Sequence, residues 1–300
     1  MTFVVICGRI DSIESEGGEL VKSIIRVKLD VIFKMLFSEN LDLLHELLSG
    51  LLELPKDSIK NIVIKNSEIL PDGLYGKLVR MDLNMDVDGK LINVEMQYGK
   101  DYNFRERILF HWSKLYSGEL KSGFDFSELK PTICIGIVDF NMFDCEAFHS
   151  DFTVMERSRH EVLTEKCGVH IFELPKISKK ANKDNLMELW LQLINAETEE
   201  ELEMLEQTGV MPIQKAVYVL HKMSEDEKIQ EAARLRERAL LLESEMRRVE
   251  RREGLEEGMQ KGMRAGMLEG AESEREKWQG IVADKDAQIA ELQAKLRGLS

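Results

Sequence analysis

The chain has 300 residues, 41 of them Lys or Arg and 55 Asp or Glu, which gives a net charge of −14. That balance excludes gripping nucleic acid by bulk attraction, so any DNA contact has to come from a local basic patch. The composition, 43% hydrophobic and 32% charged, is that of a soluble protein with one or two domains and a sizeable core.

The opening MTFVVICGRI is apolar but short, lacks a basic n-region and runs into Asp11, Glu14 and Glu16. It does not read as a signal peptide. No apolar run approaches the roughly 20 residues needed to span a bilayer. Leu29–Phe37 has the apolar stripe of a helix, with Asp30 and Lys34 four apart on its other side as an ordinary helix ion pair. Leu41–Leu54 is a second helix ended by Pro55, Ile59–Ile64 a short strand, and Pro71-Asp72-Gly73 a turn.

The most informative stretch runs from Arg80 to Asp101. Apolar and polar residues alternate from Met81 to Val87 and again from Ile92 to Gln97, the period of half-buried strands. Asp88-Gly89 between them supplies the positive φ angles of a two-residue hairpin turn. If Val87 opposes Lys90, then Met85 meets Ile92, Leu83 meets Val94 and Met81 meets Met96 on one face. On the other, Asn84 meets Asn93, Arg80 meets Gln97, and Asp82 meets Glu95. Opposed like charges destabilise a ladder. The pair therefore calls for a shared proton, a nearby basic side chain or a hard divalent cation.

Asp101–Lys121 is amphipathic at helical spacing, with Phe104, Ile108, Trp112, Leu115 and Tyr116 facing inward. Arg107, His111, Lys114 and Lys121 recur on another face and form the best basic stripe near the acidic pair. The near-continuous apolar run Ile133–Val138 marks a strand covered on both faces, and Gly168–Leu174 is a further strand stopped by Pro175. His149, His160 and His170 with Cys145 and Cys167 invite a zinc site, but no paired CxxC units accompany them, so scattered surface and core residues are the better reading. The four cysteines show no framework spacing, and the reducing cytosol fits best.

Leu186–Leu205 and Ile213–Met223 are helices, and from Ser224 onward the proline-free chain reads as one long or once-broken helix. Gly254, Gly258, Gly262, Gly266 and Gly270 recur every four residues, each costing about 1 kcal/mol relative to Ala unless a partner packs closely. Ile281, Ile289, Leu292 and Leu296 add a short heptad-like seam, which suggests a homo-oligomer formed through the tail. Glu256, Glu257, Lys261 and Arg264 exclude a membrane span there.

Asp82 on one strand and Glu95-Met96-Gln97 on the next resemble the signature of the PD-(D/E)xK phosphodiesterase superfamily, with Gln97 in the Lys place. The segments LDVIFKMLF (Leu29–Phe37), NVEMQ (Asn93–Gln97), FRERILFHWSKLYSGELKSG (Phe104–Gly123), LKPTICIGIVDF (Leu129–Phe140) and FELPK (Phe172–Lys176) are similar to the recombination-promoting nuclease (Rpn) family, often labelled transposase. The resemblance implies an α/β, restriction-endonuclease-like mixed sheet flanked by helices and followed by a long helical tail. It divides the chain into an extension (1–27), a nuclease-like core (28–180), a helical region (181–223) and a glycine-periodic tail (224–300).

It further implies a divalent-metal-dependent DNA endonuclease linked to recombination or mobile elements. Asp82 and Glu95 would ligate Mg²⁺, with Mn²⁺ or another divalent cation as substitutes, together with the backbone carbonyl of Met96 and waters. Gln97 would orient the attacking water but cannot bring the positive charge of Lys. Lys34, Arg80, Arg107 or a second metal would meet that deficit. Asp30, on the helix that edges the active site in relatives, and His111 join these as supporting or DNA-contacting residues. Arg107 is the Arg the family places in its helix, with Arg105 as a competing register; Arg80 follows from the pairing rule alone. The alternative is a catalytically inactive nucleic-acid-binding protein or self-associating scaffold.

Overall fold

The computed structural model describes residues 24–69, 79–118, 123 and 125–297. Helices α1 (Asp30–Glu39) and α2 (Leu41–Leu51) lead into β1 (Ile62–Ile64), β2 (Glu68–Ile69) and β3 (Val79–Arg80). The hairpin β4 (Leu83–Val87) and β5 (Lys90–Gln97) comes next, then α3 (Phe104–Gly118), β6 (Thr132–Val138), β7 (His149–Phe152) and β8 (Cys167–Glu173). Helices α4 (Leu186–Asn195), α5 (Glu199–Glu206), α6 (Met211–Glu225) and α7 (Glu227–Arg297) complete the chain. The expected Pro71-Asp72-Gly73 turn lies outside the described residues.

Six strands form one mixed sheet in the order β1-β4-β5-β6-β8-β7. The β5–β6 and β6–β8 pairs are parallel and the other three antiparallel, so the α/β mixed sheet flanked by helices stands as the sequence implied. Asp88 and Gly89 both take positive φ, 49° and 83°, as a two-residue type I′ turn demands. Every pair of the β4–β5 ladder, from Val87–Lys90 to Leu83–Val94, follows the expected register.

Beyond Leu83 the register fails. β3 leaves the ladder to pair with β2, so Arg80 opposes Glu68 and not Gln97, and the Met81 N–H donates to the Ser67 carbonyl. Met81 packs with Phe104, Ile108 and Leu115 of α3. The expected Arg80–Gln97 and Met81–Met96 pairs are therefore corrected, and Asp82 opposes Glu95 not as a ladder pair but from a bend just before β4, because a competing short ladder captures the strand just before Asp82.

Asn93, Glu95 and Gln97 point towards α3, while Ile92, Val94 and Met96 alternate to the other face, where α1 packs against β5. Phe37 of α1 meets the fully buried Trp190 of α4 edge-on, with ring centroids 5.8 Å apart. α3 seats closely because Gly136 of β6 has no side chain. A Cβ there would lie 2.8 Å from Phe104 Cε1 and 2.9 Å from Ile108 Cδ1.

Two further elements depart from expectation. The helix expected over Leu186–Leu205 is two, because Ala196 adopts extended backbone and Thr198 caps a new helix through the Glu201 N–H. The S/T-x-x-E spacing Thr198–Glu201 was the readable sign. β7, an edge strand of sequence HSDF, lacks the apolar alternation that announces a strand.

The described chain separates into compact units meeting at Glu237/Arg238. The second is the continuation of α7, helical through all five periodic glycines. A Cβ on any of them would meet nothing within 4 Å. No helix among the described residues is long and apolar enough to cross a membrane.

Gly136→Ala is expected to destabilise the protein by about 1–3 kcal/mol, since the added methyl must displace two buried side chains. Urea unfolding reads this as a lowered midpoint at unchanged slope; an unshifted midpoint would contradict the seating of α3.

Candidate active site

The end of β5 gathers the chemistry. Alternation brings Asn93, Glu95 and Gln97 to one face, and α3 lays Arg107 and His111, four residues apart, over it. Glu95 is 5% exposed and Asn93 fully buried. Glu95 Oε1 accepts a hydrogen bond from Asn93 Nδ2 at 2.8 Å and lies 3.1 Å from His111 Nδ1. Asp82, at the bend between β3 and β4, turns back on β5 so that its Oδ2 accepts the Met96 N–H at 2.7 Å.

Asp82 is the most perturbed carboxyl of this group. Burial pushes its pKa up, the charge of Glu95 pushes further and that of Asp30 adds, while the Met96 N–H and Arg107 pull it down. The outcome is a pKa raised from 3.8 to about 8. Asp86, on the same sheet face, shows the contrast. Burial also opposes its charge, but Lys130 at 2.6 Å and the Gly89 N–H hold its pKa below the ordinary value. Charge on the hairpin is thus compensated near the turn and left in excess at the other end.

Gln97 is fully engaged. Its Nε2 donates to the carbonyls of Tyr98 and Gly99, both at 3.0 Å, and its Oε1 accepts from Arg107 at 2.5 Å. Arg107 also donates to Asp101 at 2.8 Å and borders an open cleft of about 450 Å³ lined by Asp101, Asn103, Glu106 and Phe110. Arg105 points elsewhere, to the Met142 carbonyl at 2.5 Å and the Phe143 ring. Of the two candidate arginines, Arg107 is the one beside the acidic pair.

Several expected placements change. The Asp30–Lys34 ion pair gives way to Asp30 with Arg236 at 2.7 Å, while Lys34 donates to Ser67 Oγ at 2.9 Å. Partners from distant parts of the chain override the local i,i+4 pairing. Arg80 is exposed and bonds Glu68 at 3.1 Å. His111 is not part of a solvated basic stripe: it is 6% exposed and turned onto Glu95, because a buried carboxylate recruits a partner from the facing helix. Lys121 lies outside the described residues.

His149 Nε2 and His170 Nδ1 are 3.0 Å apart on adjacent strands. Among the described residues no three His, Cys, Asp or Glu are grouped to hold a metal.

Asn93 and Asp101 were missed as members of the site. Asn93 could have been found from alternation, being two residues before Glu95. Asp101 could not, since its role depends on where α3 lies.

The α/β mixed sheet flanked by helices, with an acidic pair beside the end of its hairpin, is the arrangement that the nuclease resemblance implies. The sequence model described as PD-(D/E)XK nuclease family transposase matches residues 27–246, and the chain belongs to that family, which links it to nucleases and mobile elements. Comparison with the curated proteins and with the solved structures found no match.

A cation suits the donors present. Met96 engages one oxygen of Asp82, and Asn93 and His111 share one oxygen of Glu95. Asp82 Oδ1 and Glu95 Oε2 are left without hydrogen-bond partners among the described residues. Two hard side-chain oxygens suit an ion that keeps much of its water.

In cation-free protein the raised pKa makes the folded state hold a proton on Asp82 that the unfolded state has already lost. Stability should therefore fall as pH rises from about 4 through about 8. Asp82→Asn should flatten that decline and raise the melting temperature at pH 8, measured by calorimetry in chelator; an unchanged pH profile would refute the assignment.

Proposed function

We propose that this protein is a divalent-cation-dependent DNA endonuclease whose Asp82 and Glu95 hold Mg²⁺, with Mn²⁺ as a substitute. The observation that carries this reading is the pair of carboxyls drawn from water beside β5, their charges coupled and one oxygen of each left to bind. The backbone carbonyl of Met96 is a further proposed ligand. When bound, the cation would polarise a scissile phosphate and lower the pKa of a coordinated water.

The chain's own residues do the remaining work. Asn93 and His111 fix the orientation of Glu95, and the Met96 N–H fixes that of Asp82. Gln97, whose amide groups are committed, acts by holding Arg107 and not by orienting water. Arg107 supplies the positive charge that a Lys would bring at position 97, and its charge reaches Asp82 from the neighbouring helix. Its open side faces the cleft, where a phosphate can approach. The family link to mobile elements suggests recombination as the setting.

Self-association through the tail is a second proposal, favoured by one feature of α7. Met259, Met263 and Met267 are exposed at four-residue spacing beside Gly258, Gly262 and Gly266, which face open space in the single chain. Light scattering should find a multimer that Met263→Glu dissociates; a monomeric wild type would refute it.

Plasmid nicking with Mg²⁺ tests the enzyme. Asp82→Ala and Glu95→Ala should each lose about 100-fold or more in rate, and Arg107→Ala about as much, with Arg107→Lys retaining part of the activity. Undiminished nicking by folded Asp82→Ala and Glu95→Ala proteins would reject the reading.

A further inference from the structure

One face of α3 carries groups that the acidic pair does not use. Asn103, just before the helix, and then Arg107, Phe110 and Lys114 recur at helical spacing, on a stripe set apart from the buried Phe104, Ile108, His111 and Leu115. The cleft of about 450 Å³ lies on this stripe, lined by Asp101, Asn103, Glu106, Arg107 and Phe110. Direct contacts join it to β5: Arg107 donates to Gln97 at 2.5 Å, and His111, the residue after Phe110, lies 3.1 Å from Glu95.

Two aromatic rings reach solvent here. Phe110 lines the cleft and is 36% exposed, and Tyr102, between the lining residues Asp101 and Asn103, is 68% exposed. Each has an ammonium group beside it, Lys100 Nζ at 5.0 Å from the Tyr102 ring centroid and Lys114 Nζ at 5.9 Å from that of Phe110. Exposed rings interleaved with cations are how proteins hold a single nucleic-acid strand: bases stack on the rings and the cations meet the backbone. Charge by itself attracts poorly at this cleft, because Asp101 and Glu106 stand beside Arg107 and the chain as a whole is at −14. Stacking on neutral base faces does not meet that obstacle. It does require bases that are not already stacked inside a duplex.

We propose that this face holds the substrate of the site, and that the substrate is DNA with unpaired bases, stacked on Phe110 and Tyr102 while Arg107 receives the phosphate. The inference rests on the nuclease reading and adds to it the strandedness of the DNA. Lys100 and Lys114 then meet neighbouring phosphates.

Fluorescence anisotropy of a labelled single-stranded thymidine oligonucleotide, titrated with the full-length protein in chelator, reads this without cleavage. Wild type should bind it about tenfold tighter than a duplex of the same length, and about tenfold tighter than an abasic strand, which keeps the phosphates and lacks the bases. Tyr102→Ala and Phe110→Ala should each weaken binding of the thymidine strand about tenfold and leave the affinity for the abasic strand unmoved. Tyr102→Phe and Phe110→Tyr, which keep a ring, should bind close to wild type.

Equal affinity for strand and duplex, or for the thymidine and abasic strands, would overturn the proposal, as would undiminished binding by folded Tyr102→Ala and Phe110→Ala proteins. A dimer that these substitutions dissociate, with no oligonucleotide bound, would also overturn it, since the rings would then join two copies of the chain. If Phe110→Ala fails to fold, Tyr102→Ala decides. Plasmid nicking that Asp82→Ala abolishes, with binding indifferent to both rings, would reject this inference alone. Ring-dependent binding by a protein that cleaves neither single-stranded nor plasmid DNA would reject the nuclease reading while the stacking surface stands.

Discussion

Asp82 and Glu95 are two carboxyls taken out of water within each other's field, and the arrangement around the end of β5 answers that constraint. A buried carboxylate is costly unless hydrogen-bonded or paired. Here the hydrogen bonds are provided, by Asn93, His111 and the Met96 N–H. Full compensation of charge is not, and the raised pKa of Asp82 is the consequence. The same hairpin shows that it could have been otherwise, since Lys130 closes down Asp86 a few residues away. A buried pair left short of positive charge is destabilising to the fold.

The scaffold makes this possible through steric detail remote from the chemistry. β5 is buried on both faces between α1 and α3. Gly136 lets Phe104 and Ile108 of α3 descend onto β6. That descent brings Arg107 and His111, one helical turn apart, to the sheet face that carries Gln97 and Glu95. Of these two helical residues, one completes the hydrogen bonding of a carboxylate and the other brings charge near it. Gln97 in the usual Lys place then has a physical role: it fixes a guanidinium that belongs to another element.

Charge in this molecule is allotted locally. A chain of net charge −14 cannot attract DNA as a whole, and several of its positive groups are tied to carboxylates. Arg107 is bound by Asp101, Arg236 by Asp30 and Arg80 by Glu68.

Much of the hairpin was legible in the residues. Strict alternation fixed which side chains share a face, and Asp88-Gly89 fixed the turn, so the β4–β5 register followed by arithmetic as far as Leu83–Val94. The same arithmetic failed at Arg80 and Met81, because β2 competes for β3 and no local pattern announces which ladder a two-residue strand joins. Helices carried by apolar periodicity were found, whereas β7, an edge strand with one apolar residue in four, was not.

At the site, the sequence singled out Asp82, Glu95, Gln97 and Arg107, since strand and helix periods confine these to particular faces. It also named His111 and Asp30 as supporting residues, but expected His111 in a basic stripe and Asp30 in an ion pair with Lys34, whereas His111 is buried on Glu95 and Asp30 pairs with Arg236. By itself the sequence determined the periodic elements and the acids they carry. Only the tertiary structure decided which cation answers which acid, because a partner such as Arg236, 206 residues away, is chosen by where helices dock and not by any spacing along the chain.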